Sequence, residues 1–368
     1  MENVPIVTTD ELRKILSSHE NVNVIDIRPI SDRQDWFIPG SIHVDTYDKL
    51  KKYDTSVLNS LTLDKSVPVV TVCGGGRTSL YAAEALQEMG YKASSLKDGM
   101  KGWSLAWNTA YEKFDGFELW QIRRTGKGCL SYIIASNKEA AILDASLPVE
   151  VYSEIVDKNN LSVKYVFETH IHADHLSRSK QVAEYFNAPL HLPANNKVQF
   201  EFLPVADDDK FLIGSTTIKS ISTPGHTNDS VCYFINEKAL ITGDTLFTNA
   251  VGRPDLKSNA EETEKKAHLL YSSIQKLLSL KNSVVVLPAH ANKPVEFDEH
   301  LIKTTIEEAK ENIPVLKESE KEFVESILSR IPPTPENYLS IVERNILGDY
   351  SGINVTELEA GANRCAIS

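Results

Sequence analysis

Thr169-His170-Ile171-His172-Ala173-Asp174-His175 follows directly on the apolar run Val163-Lys164-Tyr165-Val166-Phe167. A strand that ends in three imidazoles and a carboxylate aims several ligands at one point, and this ligand set suits zinc or non-haem iron. The whole chain has only 10 His, so chance clustering is a poor explanation. Three later segments repeat the design: Ser222-Thr223-Pro224-Gly225-His226, Leu240-Ile241-Thr242-Gly243-Asp244 and Leu287-Pro288-Ala289-His290. Each is a short apolar strand, then a turn of small residues, then a ligand-type side chain. A β-scaffold can gather such groups at one sheet edge.

This order, HxHxDH then His, Asp and His, resembles the metallo-β-lactamase superfamily over roughly residues 116 to 296. The resemblance implies an αββα sandwich and a metal site built from these seven side chains. Two arrangements fit them. In a dinuclear hydrolase His170, His172 and His226 bind one metal, Asp174, His175 and His290 the other, and Asp244 bridges; the ions are two Zn or mixed Zn/Fe. In a mononuclear oxygenase only His170, His226 and Asp244 bind a single Fe(II) per chain. His172, Asp174, His175 and His290 then support that centre by hydrogen bonds. Spacing alone leaves both open.

A second reactive segment lies upstream. Cys73-Gly74-Gly75-Gly76-Arg77-Thr78-Ser79 joins the apolar strand Pro68-Val69-Val70-Thr71-Val72 to a helical pattern running from Arg77 to Met89 and stopped at Gly90. Consecutive glycines let backbone N–H groups curl round one point, and the helix adds its positive end. Arg77 brings a cation. All three favour a thiolate at Cys73. Residues 1 to about 110 alternate helix and strand, as in an α/β domain with a parallel sheet. The region resembles a rhodanese domain, through Asp26-Ile27-Arg28, Ile38-Pro39-Gly40-Ser41-Ile42, the Cys73 loop and Asp98-Gly99-Met100-Lys101-Gly102-Trp103. That implies sulfur transfer through a Cys73 persulfide.

With a sulfur carrier attached, the metal domain resembles persulfide dioxygenases, relatives of glyoxalase II that oxidise a thiol persulfide with O₂ to sulfite. Gly252-Arg253-Pro254-Asp255 and Ala362-Asn363-Arg364-Cys365 match segments of that branch. The match implies that Arg253 is catalytic and that Asp255 and an exposed Cys365 lie near the substrate. The carrier thiol is glutathione, coenzyme A or a similar small thiol. The resemblance leaves two directions of sulfur flow: the rhodanese domain consumes that sulfite to make thiosulfate, or it feeds persulfide to the metal domain. A glyoxalase II-type thioester hydrolase with a sulfur-carrying rhodanese domain is the alternative. Cys129 and Cys232 sit in strand-like runs and read as core. Asp144, closing the strand Ala140-Ala141-Ile142-Leu143, reads as a structural acid near the metal loops.

The remaining composition narrows the class. The 368 residues suggest two domains, and 51 acids against 39 bases give a net charge of −12. An acidic surface argues against nucleic-acid partners. No apolar run reaches membrane length, and Met1-Glu2-Asn3-Val4-Pro5 does not look like a secretory leader. Four scattered Cys show no disulfide pattern, which suits a reducing cytoplasm. The expected boundaries are 1–110 for the first domain, 116–296 for the metal domain and 297–368 for a helical C-terminal extension. Tyr111 to Gly116 reads as a polar seam. The Pro332-rich segment covers the cleft or makes a subunit contact, so a homo-oligomer stays open.

Overall fold

The structure, a computed structural model, describes residues 4–194, 197–334, 337–360 and 365–367. The N-terminal part is a five-stranded parallel sheet in the spatial order Ile6–Val7, Ala93–Leu96, Val69–Val72, Asn23–Asp26, Ile42–His43. Val69–Val72 is buried on both faces, as a central parallel strand must be. The helix Thr9–Ser17 is capped by Thr8, which closes a capping box with Glu11.

Two mixed sheets of seven and six strands follow. The first runs as antiparallel neighbours from Asn108–Phe114 to Glu139–Leu143, then continues in parallel through Ser162–Phe167, Leu190–Pro193 and Leu203–Val205. Its inner face packs Tyr132, Leu143 and Phe167 against Ile218, Tyr233, Ile241 and Leu287 of the second sheet. Its outer face buries Ile133, Ile142 and Val166 against the helices Val149–Lys158 and Ser179–Phe186. The second sheet covers its outer face with Ala260–Leu278 and Glu320–Ser329. This is the αββα sandwich expected, joined to an α/β domain with a parallel sheet.

Two boundaries differ from expectation. Residues 111–114 are not a seam: they belong to the strand Asn108–Phe114, which pairs along its whole length with Phe117–Arg123. Alternate exposed polar residues on this edge strand imitate a linker in sequence. The second sheet also continues beyond residue 296, since Thr304–Thr305 pairs with Val285–Val286.

The two units share an interface. Trp36 Nε1 donates to Thr125 O at 2.9 Å, Arg124 Nε donates to Ser104 O at 2.7 Å, and Trp103 packs on Phe297. Among the described residues no helix is long and apolar enough to cross a membrane.

Candidate metal centre

All four ligand segments leave the C-terminal ends of strands: Ser162–Phe167, Thr216–Ser222, Ala239–Gly243 and Val285–Pro288. The histidine-rich loop is fastened at its start. Thr169 donates to Asp144 through N (2.8 Å) and Oγ1 (3.0 Å), so Asp144 is the structural acid its position suggested.

His170, His226 and Asp244 bring one ligand atom each within 4.8 Å of one another, all buried. His170 Nε2 and His226 Nε2 stand 3.8 and 3.5 Å from Asp244 Oδ2. The outward nitrogens are spoken for: His226 Nδ1 donates to Arg253 O at 2.8 Å, and His170 Nδ1 meets Thr169 Oγ1 at 2.9 Å. With Thr169 Oγ1 donating to Asp144, it accepts from His170, and both imidazoles keep an Nε2 lone pair facing inward. His170 Nε2 and Asp244 Oδ2 are buried with no hydrogen-bond partner. Orphaned buried acceptors are costly, and a cation answers that cost, so the residues fit a metal ion. Burial, then His172, holds His170 well below its ordinary pKa; burial also lowers His226. Both imidazoles are therefore neutral, as ligands must be. Burial pushes the Asp244 carboxyl up, but His290, whose Nδ1 lies 2.7 Å from Asp244 Oδ1, outweighs it and holds the carboxyl below its ordinary range.

His172 turns elsewhere. Its Nε2 lies 2.7 Å from Glu168 Oε2 and 3.3 Å from Asp144 Oδ1, forming a separate group with those two acids. Burial opposes its charge, but Glu168 and Asp144 raise its pKa well above the ordinary value. Asp174, His175 and His290 make a third group, and it includes Cys129. His290 ties the groups together, with Nδ1 2.7 Å from Asp244 Oδ1 and Nε2 2.7 Å from Asp174 Oδ2. Burial and Asp174 push the Cys129 thiol up, yet His175 and His290 bring it down to about 6. Cys129 is thus part of the site and not the core residue it resembles in sequence. Cys232 is core, closed over by Thr223.

Arg253 does not reach into the cleft. It is 0% exposed and grips Asp255 with Nε and Nη2 at 2.8 Å each, while Nη2 also donates to Pro332 O at 2.9 Å. Its carbonyl positions His226, so Arg253 acts through that ligand, and Asp255 acts through Arg253. Cys365 lies beside Asp244 and His290, and it is 3% exposed where an exposed thiol was anticipated. The pairing of Ala366–Ile367 with Val251–Gly252 draws it inside. Ala362, Asn363 and Arg364, like Pro335 and Glu336, lie outside the described residues.

The C-terminal extension supplies groups that no motif announced. Asn345 Nδ2 donates to His172 O and His175 O at 2.8 Å each, and its Oδ1 accepts from Ser177 N. Glu359 accepts from Leu176 N and pairs with buried Arg124. Beside His226 a cleft is lined by Lys197, Lys257, Lys266 and, from the extension, Tyr338. The extension therefore covers part of the cleft. Burial lowers Lys266 to about 8.

In the other domain Cys73 is 2% exposed. Its Sγ accepts from Gly76 N at 3.1 Å and meets Ser79 Oγ at 3.3 Å. A Cβ on Gly74 or Gly75 would meet open space, so the loop stays clear on its outer side. Arg77 is the exposed N-cap residue of Thr78–Glu88, and the hydrogen bonds to the sulfur come from Gly76 and Ser79 instead. Arg28 is also structural, bound bidentately to Asp26.

Residues 124–290 match the metallo-beta-lactamase superfamily, and residues 8–106 match the rhodanese-like domain. Over 194 residues the chain is 30% identical to the uncharacterised protein ML0493 of Mycobacterium leprae, covering 45% of this chain and 87% of that protein. The chain belongs to the metallo-beta-lactamase superfamily. Its superfamily domain follows a rhodanese-like domain in one polypeptide. A hydroxyacylglutathione hydrolase of Francisella philomiragia is 33% identical over 161 residues, 43% of this chain. The chain spans 61% of that enzyme's length. Among solved structures, ETHE1 from Myxococcus xanthus aligns with a TM-score of 0.53 at 25% identity, covering 61% of this chain and 96% of that one. A metallo-beta-lactamase from Staphylococcus aureus subsp. aureus COL shares the fold at a TM-score of 0.59 and 24% identity, covering 64% and 74%.

Proposed function

We propose that this chain is a persulfide dioxygenase with a sulfur-carrying partner domain. It converts a small thiol persulfide, O₂ and water into the free thiol and sulfite. The observation that carries the reading is the separate grouping of His170, His226 and Asp244, with His172 held away by Glu168 and Asp144. Two imidazoles and one carboxylate would hold Fe(II), which when bound would supply O₂-activating chemistry toward a sulfur substrate. The protein's own part is to hold that face. Thr169 and Arg253 O orient the imidazoles, His290 restrains the outer oxygen of Asp244, and burial excludes water. Lys197, Lys257 and Lys266 suit the anionic groups of a carrier such as glutathione or coenzyme A.

In the rhodanese-like domain the Cys73 thiolate attacks the outer sulfur of a sulfane donor. The donor's S–S bond breaks, its thiol or sulfite leaves, and a Cys73 persulfide forms. Gly76 N–H and the Ser79 hydroxyl stabilise the sulfur anion.

A glyoxalase II-type hydrolysis of a glutathione thioester is the second reading. The hydroxyacylglutathione hydrolase relative and the adjoining Asp174, His175 and His290 group favour it. One experiment separates the two. Fe(II)-loaded protein is given glutathione persulfide in an oxygen electrode with sulfite assayed in the same vessel, and S-acylglutathione in a parallel cell. Oxygen uptake matched by sulfite is expected. Thioester cleavage without oxygen uptake would overturn the dioxygenase.

A further inference from the structure

We propose that Cys129 completes a second, closed cation site with Asp174, His175 and His290, one suited to a zinc-like divalent ion. The inference does not depend on whether the His170 face oxidises a persulfide or the pair of sites hydrolyses a thioester.

Four donor atoms, one from each residue, lie within 4.8 Å of one another and all four residues are buried. Cys129 Sγ stands 3.5 Å from Asp174 Oδ2, close to the edge length of a tetrahedron drawn round a zinc ion. His175 Nε2 is buried and lacks a hydrogen-bond partner, and His290 Nε2 faces Asp174 Oδ2 at 2.7 Å. An orphaned imidazole nitrogen beside a second imidazole, a thiol and a carboxylate is answered by a shared cation. Binding displaces the Cys129 proton and leaves one thiolate, one carboxylate and two neutral imidazoles.

The thiol is built into place. Cys129 bridges His290 across the strand ends, Leu130 N donates to Ala289 O, and Ala291 N donates to Gly128 O. Gly128 has φ of +94°, and a Cβ there would lie 2.7 Å from Ala291 O and 2.9 Å from the Trp36 ring. The rhodanese-like domain thus packs directly behind the cysteine. Cys365 is a weaker candidate, since it joins only Asp244 and His290.

The chemistry separates the two sites. Three N/O donors make an open face; four donors with a thiolate make a saturated one that prefers a softer, zinc-like ion. The chain then carries two different metals.

The test uses full-length protein, stripped by chelation and reloaded with zinc. X-ray absorption at the zinc edge is expected to show a sulfur neighbour at about 2.3 Å. That neighbour should persist in the triple variant Cys73→Ser, Cys232→Ser, Cys365→Ser and vanish in Cys129→Ser. Cobalt-loaded protein should show a near-ultraviolet thiolate charge-transfer band with the same dependence. The second metal equivalent should bind Cys129→Ser at least about tenfold more weakly. Absence of sulfur in the wild type, or its loss in Cys365→Ser, overturns the site. If Cys129→Ser does not fold, the wild type and the triple variant decide the matter alone.

Discussion

The amide of Asn345 donates to the carbonyl oxygen of His172 at 2.8 Å, from a helix 173 residues further along the chain. The same nitrogen reaches His175 O, so one side chain from the C-terminal extension sets the backbone between two site histidines. Asn345→Ala leaves two buried carbonyls without this donor, at about 1–3 kcal/mol each. The expected result is a roughly 10–100-fold weaker metal affinity, with the fold kept. Metal titration alongside circular dichroism checks it; unchanged affinity would show that the clamp is idle.

Arg124 and Glu359 form a buried ion pair at 2.5 Å, with Lys127 Nζ donating to Glu359 O. Removing one partner strands a buried charge. Glu359→Ala should cost about 3–5 kcal/mol, and pairing it with Arg124→Met should recover much of that. Denaturant unfolding of the two variants measures the difference.

The same pair predicts a pH dependence. Burial pushes the Glu359 carboxyl up, but Arg124, Lys127 and the Leu176 N–H hold it below its ordinary 4.5. A folded pKa below the unfolded one means that the unfolded chain binds the proton more readily. The pair's contribution is therefore full above about pH 4.5 and fades as pH falls through the lower folded value. Wild type should lose stability across that window more steeply than the double variant. Parallel curves would remove Glu359 from the acid transition.

Iron retention separates the first-site ligands from their neighbours. His170→Ala and Asp244→Ala should each lose iron and fall at least about 1,000-fold in activity. Asp174→Ala should keep iron at the first site and slow by about 10–100-fold. Metal analysis after desalting reads this directly, and iron lost equally in all three variants would support the two-metal hydrolase.

Gly126 lies where the two domains meet. A Cβ there would stand 1.8 Å from Trp103 O and 2.6 Å from its carbonyl carbon, both backbone atoms of the other unit. Gly126→Ala should push the domains apart, split the thermal transition in two and open residues 104–107, between the last helix of the first unit and the strand Asn108–Phe114, to protease. A single transition at the wild-type temperature would mean that the interface yields easily. Cys73→Ser, by contrast, should leave stability unchanged and reduce sulfur transfer to background, as a cyanide-acceptor assay would report.

Much of the first layer was legible in the chain. The apolar runs ahead of His170, His226, Asp244 and His290, the last three closed by turns of small residues, announced strands ending in ligands. The Cys73 loop was legible for the same reason, since strand, glycines and helix are contiguous. Glu168 could also have been found, because an acid set directly before the cluster lies within reach of His172. The edge strand Asn108–Phe114 could not, because its polar alternation imitates a linker.

The sequence by itself determined the two α/β units, their order and the identity of the groups that meet at the cluster, because each is written in a short local pattern. Tertiary structure decided how those groups divide. It turned His172 toward Glu168 and Asp144, brought Cys129 to Asp174 and His290, buried Cys365, and spent the Arg253 guanidinium on Asp255 and the extension. These outcomes depend on side-chain direction and on contacts between segments more than a hundred residues apart, as with Asn345 and the histidine loop. No local pattern encodes such distances; the packing of two sheets and a C-terminal extension does.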